Sequence, residues 1–307
     1  MKDLILLLLM LPLYCHSANW QLKFDNDILL GTDGDYSNGL LIERGNERRA
    51  SDFSLPLFFQ SFLMPAGNSY YHQWALQQKI WTPAEIRFDY PQPNDRPYAA
   101  TLAVRSTLST LQGALLTSNW LEVGILGPSA MGESAQSSVH LWTDSTTPKG
   151  WEHQIQNTPL INLGYELEAP VIYSPSFNVA LQGATELGTT IQRVGAGIVI
   201  MVGNDVETGN VSSVHGIRNL IHRPALRQFL YAGIHQWYVM EDKTLTGSLD
   251  YHSNVSLASM QTRYSMGWYF QYQLVALSLA VNYGDVGFTP AISARHGFAS
   301  LSFLWRY

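Results

Sequence analysis

Three stretches of this sequence carry oxygen- and nitrogen-bearing side chains at spacings that suit chemistry. The first is Asp25-Asn26-Asp27, followed after a short gap by Thr32-Asp33-Gly34-Asp35-Tyr36-Ser37-Asn38-Gly39. Carboxylate, amide and hydroxyl oxygens are the ligands a hard cation such as Ca²⁺ takes. A tight turn between two antiparallel strands would bring Asn26 and Asp27 close to Ser37. An ordinary Asp/Gly turn has the same composition, so residue type alone leaves both readings open. The second stretch, Asn94-Asp95-Arg96-Pro97-Tyr98-Ala99, reads as a loop held by its own charges. The third runs from Gly127-Pro128-Ser129 through His140 to Pro148-Lys149-Gly150-Trp151. Ser129 as an N-cap predicts a short helix over 130–143, which would place Glu133, Gln136 and His140 on one face. A histidine beside a metal-bound ester is suited to general-base work. The plain alternative is a solvated loop histidine, since the chain has nine, with His153 the nearest competitor and His72, His235 and His296 falling in predicted strands.

The elements that position these residues follow from composition and alternation. Met1-Lys2 is a positive start, Leu4 to Leu13 is almost wholly apolar, and Ser17-Ala18 offers small residues for cleavage. That pattern predicts a secretory signal over 1–18 and a single domain over 19–307. The one cysteine, Cys15, lies inside the signal, so neither a disulfide nor a thiolate metal site is expected. Charged residues make up only 14% of the chain and aromatics 12%, including nine Trp and 16 Tyr. A soluble enzyme has about 25% charged residues. An exported chain this poor in charge and rich in aromatics predicts an all-β fold, a transmembrane antiparallel β-barrel with a lipid-facing wall. The net charge of −6 argues against nucleic acid as a partner.

A barrel strand needs ~9–11 residues of alternating character. Twelve segments fit: Trp20–Asp27, Tyr36–Arg44, Tyr71–Ile80, Pro97–Ser106, Asn119–Leu126, Leu160–Glu168, Phe177–Ala184, Thr190–Val202, Gln228–Met240, Thr262–Tyr272, Val275–Tyr283 and His296–Tyr307. In the last, Ala299, Leu301, Phe303, Trp305 and Tyr307 make one apolar face ending on an aromatic. An even count puts both termini on one side, by convention the periplasm. The loops around 28–35, 81–96 and 127–159 are then extracellular, and the short helix lies in the last of them. Segments 45–70 and 203–227 are long for periplasmic connections, and each is expected to hold a small helix or to cover the barrel mouth.

Taken together, Asp25-Asn26-Asp27, Tyr36-Ser37-Asn38-Gly39, Asn94 to Ala99, Gly127-Pro128-Ser129, Gln136…His140 and Gly150-Trp151 fall in an order that resembles the lipid A deacylase family, most strongly from Trp20 to Pro159. The resemblance implies a twelve-stranded outer-membrane barrel with a Ca²⁺-dependent site at its extracellular rim, removing the 3′-linked acyloxyacyl group of lipid A. By position it implies Asn26, Asp27 and Ser37 near the metal, His140 as general base and Gln136 in the same site. Ser37 stands where the family often has Thr, which keeps the hydroxyl. Two places depart from the pattern. A functional acidic residue six places after the histidine is Thr146 here, with Asp144 nearby. A functional Lys before the fourth strand has no clear counterpart beyond Arg87.

The implied reaction is direct attack by water on an ester, with His140 taking the proton; the chain has no G-x-S-x-G motif. Lipid A, as part of lipopolysaccharide, is the expected substrate and the outer membrane the expected location, with the protein a monomer. Two other readings stay open: an outer-membrane phospholipase with Ser129 or Ser137 as nucleophile, and a non-enzymatic pore or lipopolysaccharide-binding barrel.

Overall fold

A computed structural model of the chain describes residues 18–27, 34–49, 59–65, 69–143, 145–220 and 223–307. The signal over 1–17, Cys15, Thr32, Asp33 and Asp144 lie outside the described residues. Twelve strands close into one antiparallel barrel: β1 (Asn19–Asn26), β2 (Asp35–Arg48), β3 (Tyr70–Thr82), β4 (Ala99–Gln112), β5 (Leu115–Leu126), β6 (Thr158–Ser174), β7 (Phe177–Gly188), β8 (Ile191–Asn204), β9 (Ala225–Asp242), β10 (Met260–Gln273), β11 (Val275–Asp285) and β12 (Arg295–Arg306). Each predicted segment falls on one of them, most running further at one or both ends. Four stop short of the expected bounds: β1, β8 and β12 each by one residue, at Asn26, Ile191 and Arg306, and β4 by two, beginning at Ala99 because Pro97 has no N–H for the ladder.

Closure comes from β1 pairing with β12, Trp20 opposite Trp305 and Phe24 opposite Leu301. The two tryptophan rings stack at 6.1 Å, and Ala18 and Tyr307 exchange backbone hydrogen bonds beyond them. With no open edge, every strand satisfies its backbone within the sheet, as a wall in hydrocarbon must. Alternation sorts the two faces. On β3, Trp74 and Leu76 are exposed while Gln73 and Gln77 are buried inward; on β4, Val104 is exposed while Arg105 is buried. No helix among the described residues is long and apolar enough to cross a membrane.

The long segment between β8 and β9 folds back into the lumen. A two-residue ladder, Val211–Ser212 with Gly216–Ile217, makes a plug that the lumenal side chains grip. Arg218 pairs with Glu166 and, at 3.2 Å, with Glu168, and Ser212 Oγ donates to Glu166 at 2.8 Å. Burial works against the Arg218 charge, but Glu166 and Glu168 outweigh it and hold its pKa above the ordinary value. Val206, Val211 and Ile217 pack on Phe229, Tyr231 and Tyr269. At the plug tip, Arg105 Nη1 donates to His215 Nδ1 at 2.9 Å. The other long connection reaches the barrel through a helical turn over 59–64.

At the opposite, loop end lies the helix α1 (Gly132–Thr143), after a 3-10 turn over Pro128–Ala130. Ser129 does not cap it: its N–H donates to Asn157 Oδ1 at 3.0 Å. The chain instead turns at Met131, in the left-handed region with φ 58°. Gly132, Gln136 and His140 form the buried stripe of α1. Glu133 is exposed, so the expected three-residue face holds only for Gln136 and His140.

Candidate active site

The hairpin between β1 and β2 brings Asn26, Asp27 and Ser37 together. Asn26 Nδ2 and the Asp27 N–H both donate to the Ser37 carbonyl, each at 3.4 Å. Pairing of β2 with β3 slips between Tyr36 and Asn38, leaving Ser37 as the extra residue of a bulge, a device that re-aims a side chain. Its hydroxyl meets Thr82 Oγ1 at 2.6 Å, and Thr82 is fully buried. Asp27 Oδ2 accepts the Gly34 N–H at 2.9 Å. Gly34 is glycine for two reasons: φ is +146°, and a Cβ would stand 2.9 Å from Ala84 Cα. His296 of β12 lies 3.9 Å from both Asp27 Oδ2 and Asp35 Oδ2. Barrel closure thus sets His296 beside Asp27. Sequence reading missed Thr82 and His296; only β2–β3 register and barrel closure bring them here.

Helix α1 packs on β3 and β4, against the wall's outer face. Ile80, two residues before Thr82 on that face, shares a cluster with Tyr98, Ala100, Ala130 and Trp151. Gln78 Nε2 donates to the Ala130 carbonyl at 2.6 Å. Contact is close enough to exclude a side chain at Gly132, whose Cβ would lie 2.4 Å from Ala100 Cβ and 2.6 Å from the Trp151 ring. The helix therefore stands beside the end of β3 that carries Thr82. Neither Gln136 nor His140 lines the lumenal cavity of about 250 Å³, which opens between Asp35, Arg96, Arg105 and His215. Gln136 and His140 lie between wall and helix, outside the lumen, whereas His296 and Asp35, beside Asp27, line the lumenal cavity.

His140 is buried, and its Nδ1 bonds the Thr146 carbonyl. A carbonyl only accepts, so Nδ1 carries the proton and Nε2 is left with a lone pair. Gln136 is buried too, and its Oε1 accepts the Trp151 indole N–H at 2.9 Å. An indole only donates, which fixes the sense of the amide. Gln136 Nε2 then has no hydrogen-bond partner among the described residues. One oriented acceptor and one unspent donor sit a helical turn apart.

Other candidates fall elsewhere. Arg87 is exposed and pairs with Glu85 at 2.7 Å, so nothing places it in the site. Asp95 holds its loop by accepting from Ala84 N and Arg96 N at 2.9 and 2.7 Å. Burial pulls the Arg96 pKa down, with Asp35, Asp242 and Asp95 acting against it. His153 sits between two carboxylates, Nδ1 3.1 Å from Asp250 and Nε2 3.4 Å from Glu152, on the 3-10 turn Trp151–His153 and not on α1. No hydrogen bond among the described residues joins Ser129 or Ser137 to a histidine.

No group of three or more His, Cys, Asp or Glu suited to a metal occurs among the described residues. The Asn26–Asp27–Ser37 cluster is a different donor set, with one carboxylate supplemented by amide, hydroxyl and carbonyl oxygens. Such all-oxygen chemistry fits a hard cation.

Comparison with known proteins bears on this geometry. A family model described as "Outer membrane protein LpxR" matches residues 4–307. Among solved structures, LpxR from Salmonella typhimurium is 20% identical, superposes with a TM-score of 0.79, and is matched over 94% of this chain and 99% of that one. The β domain of the Bordetella autotransporter BrkA is 10% identical over 95% and 97% of the two chains, with a TM-score of 0.44. The translocator domain of NalP from Neisseria meningitidis is 9% identical over 100% and 94%, with a TM-score of 0.44. No curated protein matches the sequence.

Proposed function

The chain belongs to the LpxR family of outer membrane proteins, and from that membership we propose that it is a lipid A deacylase. The reaction is hydrolysis of the ester that holds the 3′-linked acyloxyacyl chain of lipid A in the outer leaflet. The observation that carries this reading is His140, buried on α1 with its proton committed to the Thr146 carbonyl and Nε2 available as a base.

In this reaction His140 Nε2 takes a proton from water as the oxygen attacks the ester carbonyl. Gln136 Nε2, oriented by Trp151, donates to the carbonyl oxygen as it gains charge. Collapse breaks the acyl C–O bond, and the proton on His140 passes to the departing sugar oxygen. Asn26, Asp27 and Ser37 are the residues that would hold Ca²⁺. When bound, the ion would polarise the ester carbonyl as a Lewis acid. A site between wall and helix suits a substrate that stays in its leaflet, and the protein is proposed to act as a monomer.

The test is mass spectrometry of lipid A from cells with and without the protein. Loss of one acyloxyacyl group only when it is present is the expected result. Unchanged lipid A would sink the reading. Resistance to a serine-directed covalent inhibitor separates it from a phospholipase. The plugged lumen speaks against an open pore.

A further inference from the structure

At the end of the barrel that carries both chain termini, the outer wall breaks its own pattern. Trp74, Leu76, Val104 and Val123 are apolar and exposed. Further toward the termini, the same face carries His72, Ser106 and Asn119, all buried. Register fixes that face: Ser106 pairs with Trp74, and Leu108 pairs with both His72 and Asn119. Polar groups on a lipid-facing wall are costly unless satisfied, so something must cover them.

The cover is the helical turn over 59–64, closed by i→i+3 bonds from Phe62, Leu63 and Met64. Gln60 supplies the polar half. Its Nε2 donates to the Ser106 carbonyl at 3.0 Å and to Asn119 Oδ1 at 3.3 Å. Ser106 Oγ donates to Gln60 Oε1 at 2.9 Å, and Asn119 Nδ2 donates to the Gln60 carbonyl at 2.9 Å. His72 Nε2 meets Ser106 Oγ at 3.0 Å. Met64 supplies the apolar half, packing on Tyr70 and Leu108. The turn's other side shows Phe59, Phe62 and Leu63, which are 61%, 68% and 47% exposed. The sequence Phe-Gln-Ser-Phe-Leu-Met carries no charge.

We propose that this turn is an interfacial foot that inserts Phe59, Phe62 and Leu63 among the phospholipid acyl chains of the leaflet bordering the terminal end. The polar recess is already satisfied by Gln60, so the surface the turn offers its surroundings is mainly apolar, from Phe59, Phe62 and Leu63. That surface continues the exposed band of Trp74, Leu76 and Val104, which the barrel presents to lipid. A short amphipathic element lying in the interface plane is stable where its apolar side is buried at the headgroup–acyl boundary. The proposal stands on the barrel fold alone and is independent of the enzymatic reading.

Spin labels test it. Phe62→Cys and Leu63→Cys, each with Cys15→Ser, are labelled and reconstituted in phosphatidylethanolamine–phosphatidylglycerol vesicles. Leu76→Cys on the wall and Ile292→Cys, 77% exposed in the β11–β12 loop, are the references. Positions 62 and 63 should match 76, with high oxygen and low nickel-chelate accessibility. Accessibility like that of 292 would overturn the proposal. Spin–spin broadening that vanishes on dilution with unlabelled protein would also overturn it, by showing a second copy as the occupant. Gln60→Ala should raise nickel accessibility at 62 as the turn loses its seat. An unchanged profile would overturn the seating role of Gln60.

Discussion

The Trp151 indole N–H donates to Gln136 Oε1 at 2.9 Å, across fifteen residues of chain, and so decides which end of a buried amide is left unbonded. Trp151 is itself held against Tyr98 with ring centroids 4.9 Å apart. Removing only the N–H, by Trp151→Phe, keeps most of the packing and frees the amide to rotate. The loss of one hydrogen bond of ~1 kcal/mol should lower kcat roughly 5- to 10-fold, with KM little changed. A KM effect alone would show that Trp151 only packs. Gln136→Glu keeps the Trp151 bond but replaces the donor with an acceptor. Its rate relative to wild type should rise as pH falls and the carboxyl regains a proton. The ratio cancels any titration the two proteins share, so a flat ratio would remove Gln136 Nε2 from the reaction.

His140→Gln should cost ~10²–10⁴-fold in rate while the barrel folds and inserts, the usual effect of removing a general base. Thr146→Ala should be near neutral, because the backbone carbonyl and not the side chain holds His140 Nδ1. His153→Ala should also leave turnover intact, since its ring contacts Asp250 and Glu152 and lies off the α1 face that carries Gln136 and His140. Mass spectrometry of released acyl chains reads all three. An inactive His153→Ala beside an active His140→Gln would mean the base is misassigned.

These residues show what the sequence made legible. Strand alternation revealed the barrel, because a lipid-facing wall imposes a period of two on every strand. The Asn26–Asp27–Ser37 convergence was also readable, since a single hairpin creates it. Thr82 and His296 were not, because they arrive through a bulged register and through closure of β1 on β12. Thr146 read as a departure from the family pattern. In the structure the Thr146 main-chain carbonyl, an atom the residue type does not encode, bonds His140 Nδ1. The plug was hidden for a similar reason. It lacks a strand-length alternation, and its contacts with Glu166 and Glu168 span 41–52 residues.

Asp27→Ala should abolish hydrolysis without unfolding the barrel, because it removes the only carboxylate of the Asn26–Asp27–Ser37 cluster. Ser37→Thr should keep activity and Ser37→Ala lose most of it, since the hydroxyl bonded to Thr82 is what the position supplies. Activity should disappear on chelation and return with added Ca²⁺. Wild-type turnover in excess chelator would end the calcium assignment.

The plug should loosen in acid through His215. Its Nδ1 accepts from Arg105 at 2.9 Å, and its ring meets Trp120 edge-on at 4.7 Å. Burial pushes its pKa well below the usual value, and Arg105, Lys79, Arg218 and Lys23 push it further the same way. Seated, the ring is therefore neutral; released into water, it would take a proton near pH ~6.5. A histidine with a depressed folded pKa contributes stability that is full above ~6.5 and is lost as pH falls below it. Planar bilayers read the outcome directly. At pH 7.5 the barrel should be electrically quiet, and between pH ~6 and ~5 brief conductance steps should appear as the plug leaves the lumen. His215→Asn has no proton to gain there and should shift the onset to lower pH. The same onset in wild type and His215→Asn would exclude His215 as the trigger, and silence in both at pH 5 would mean that the Arg218 pairs with Glu166 and Glu168 hold the plug without it.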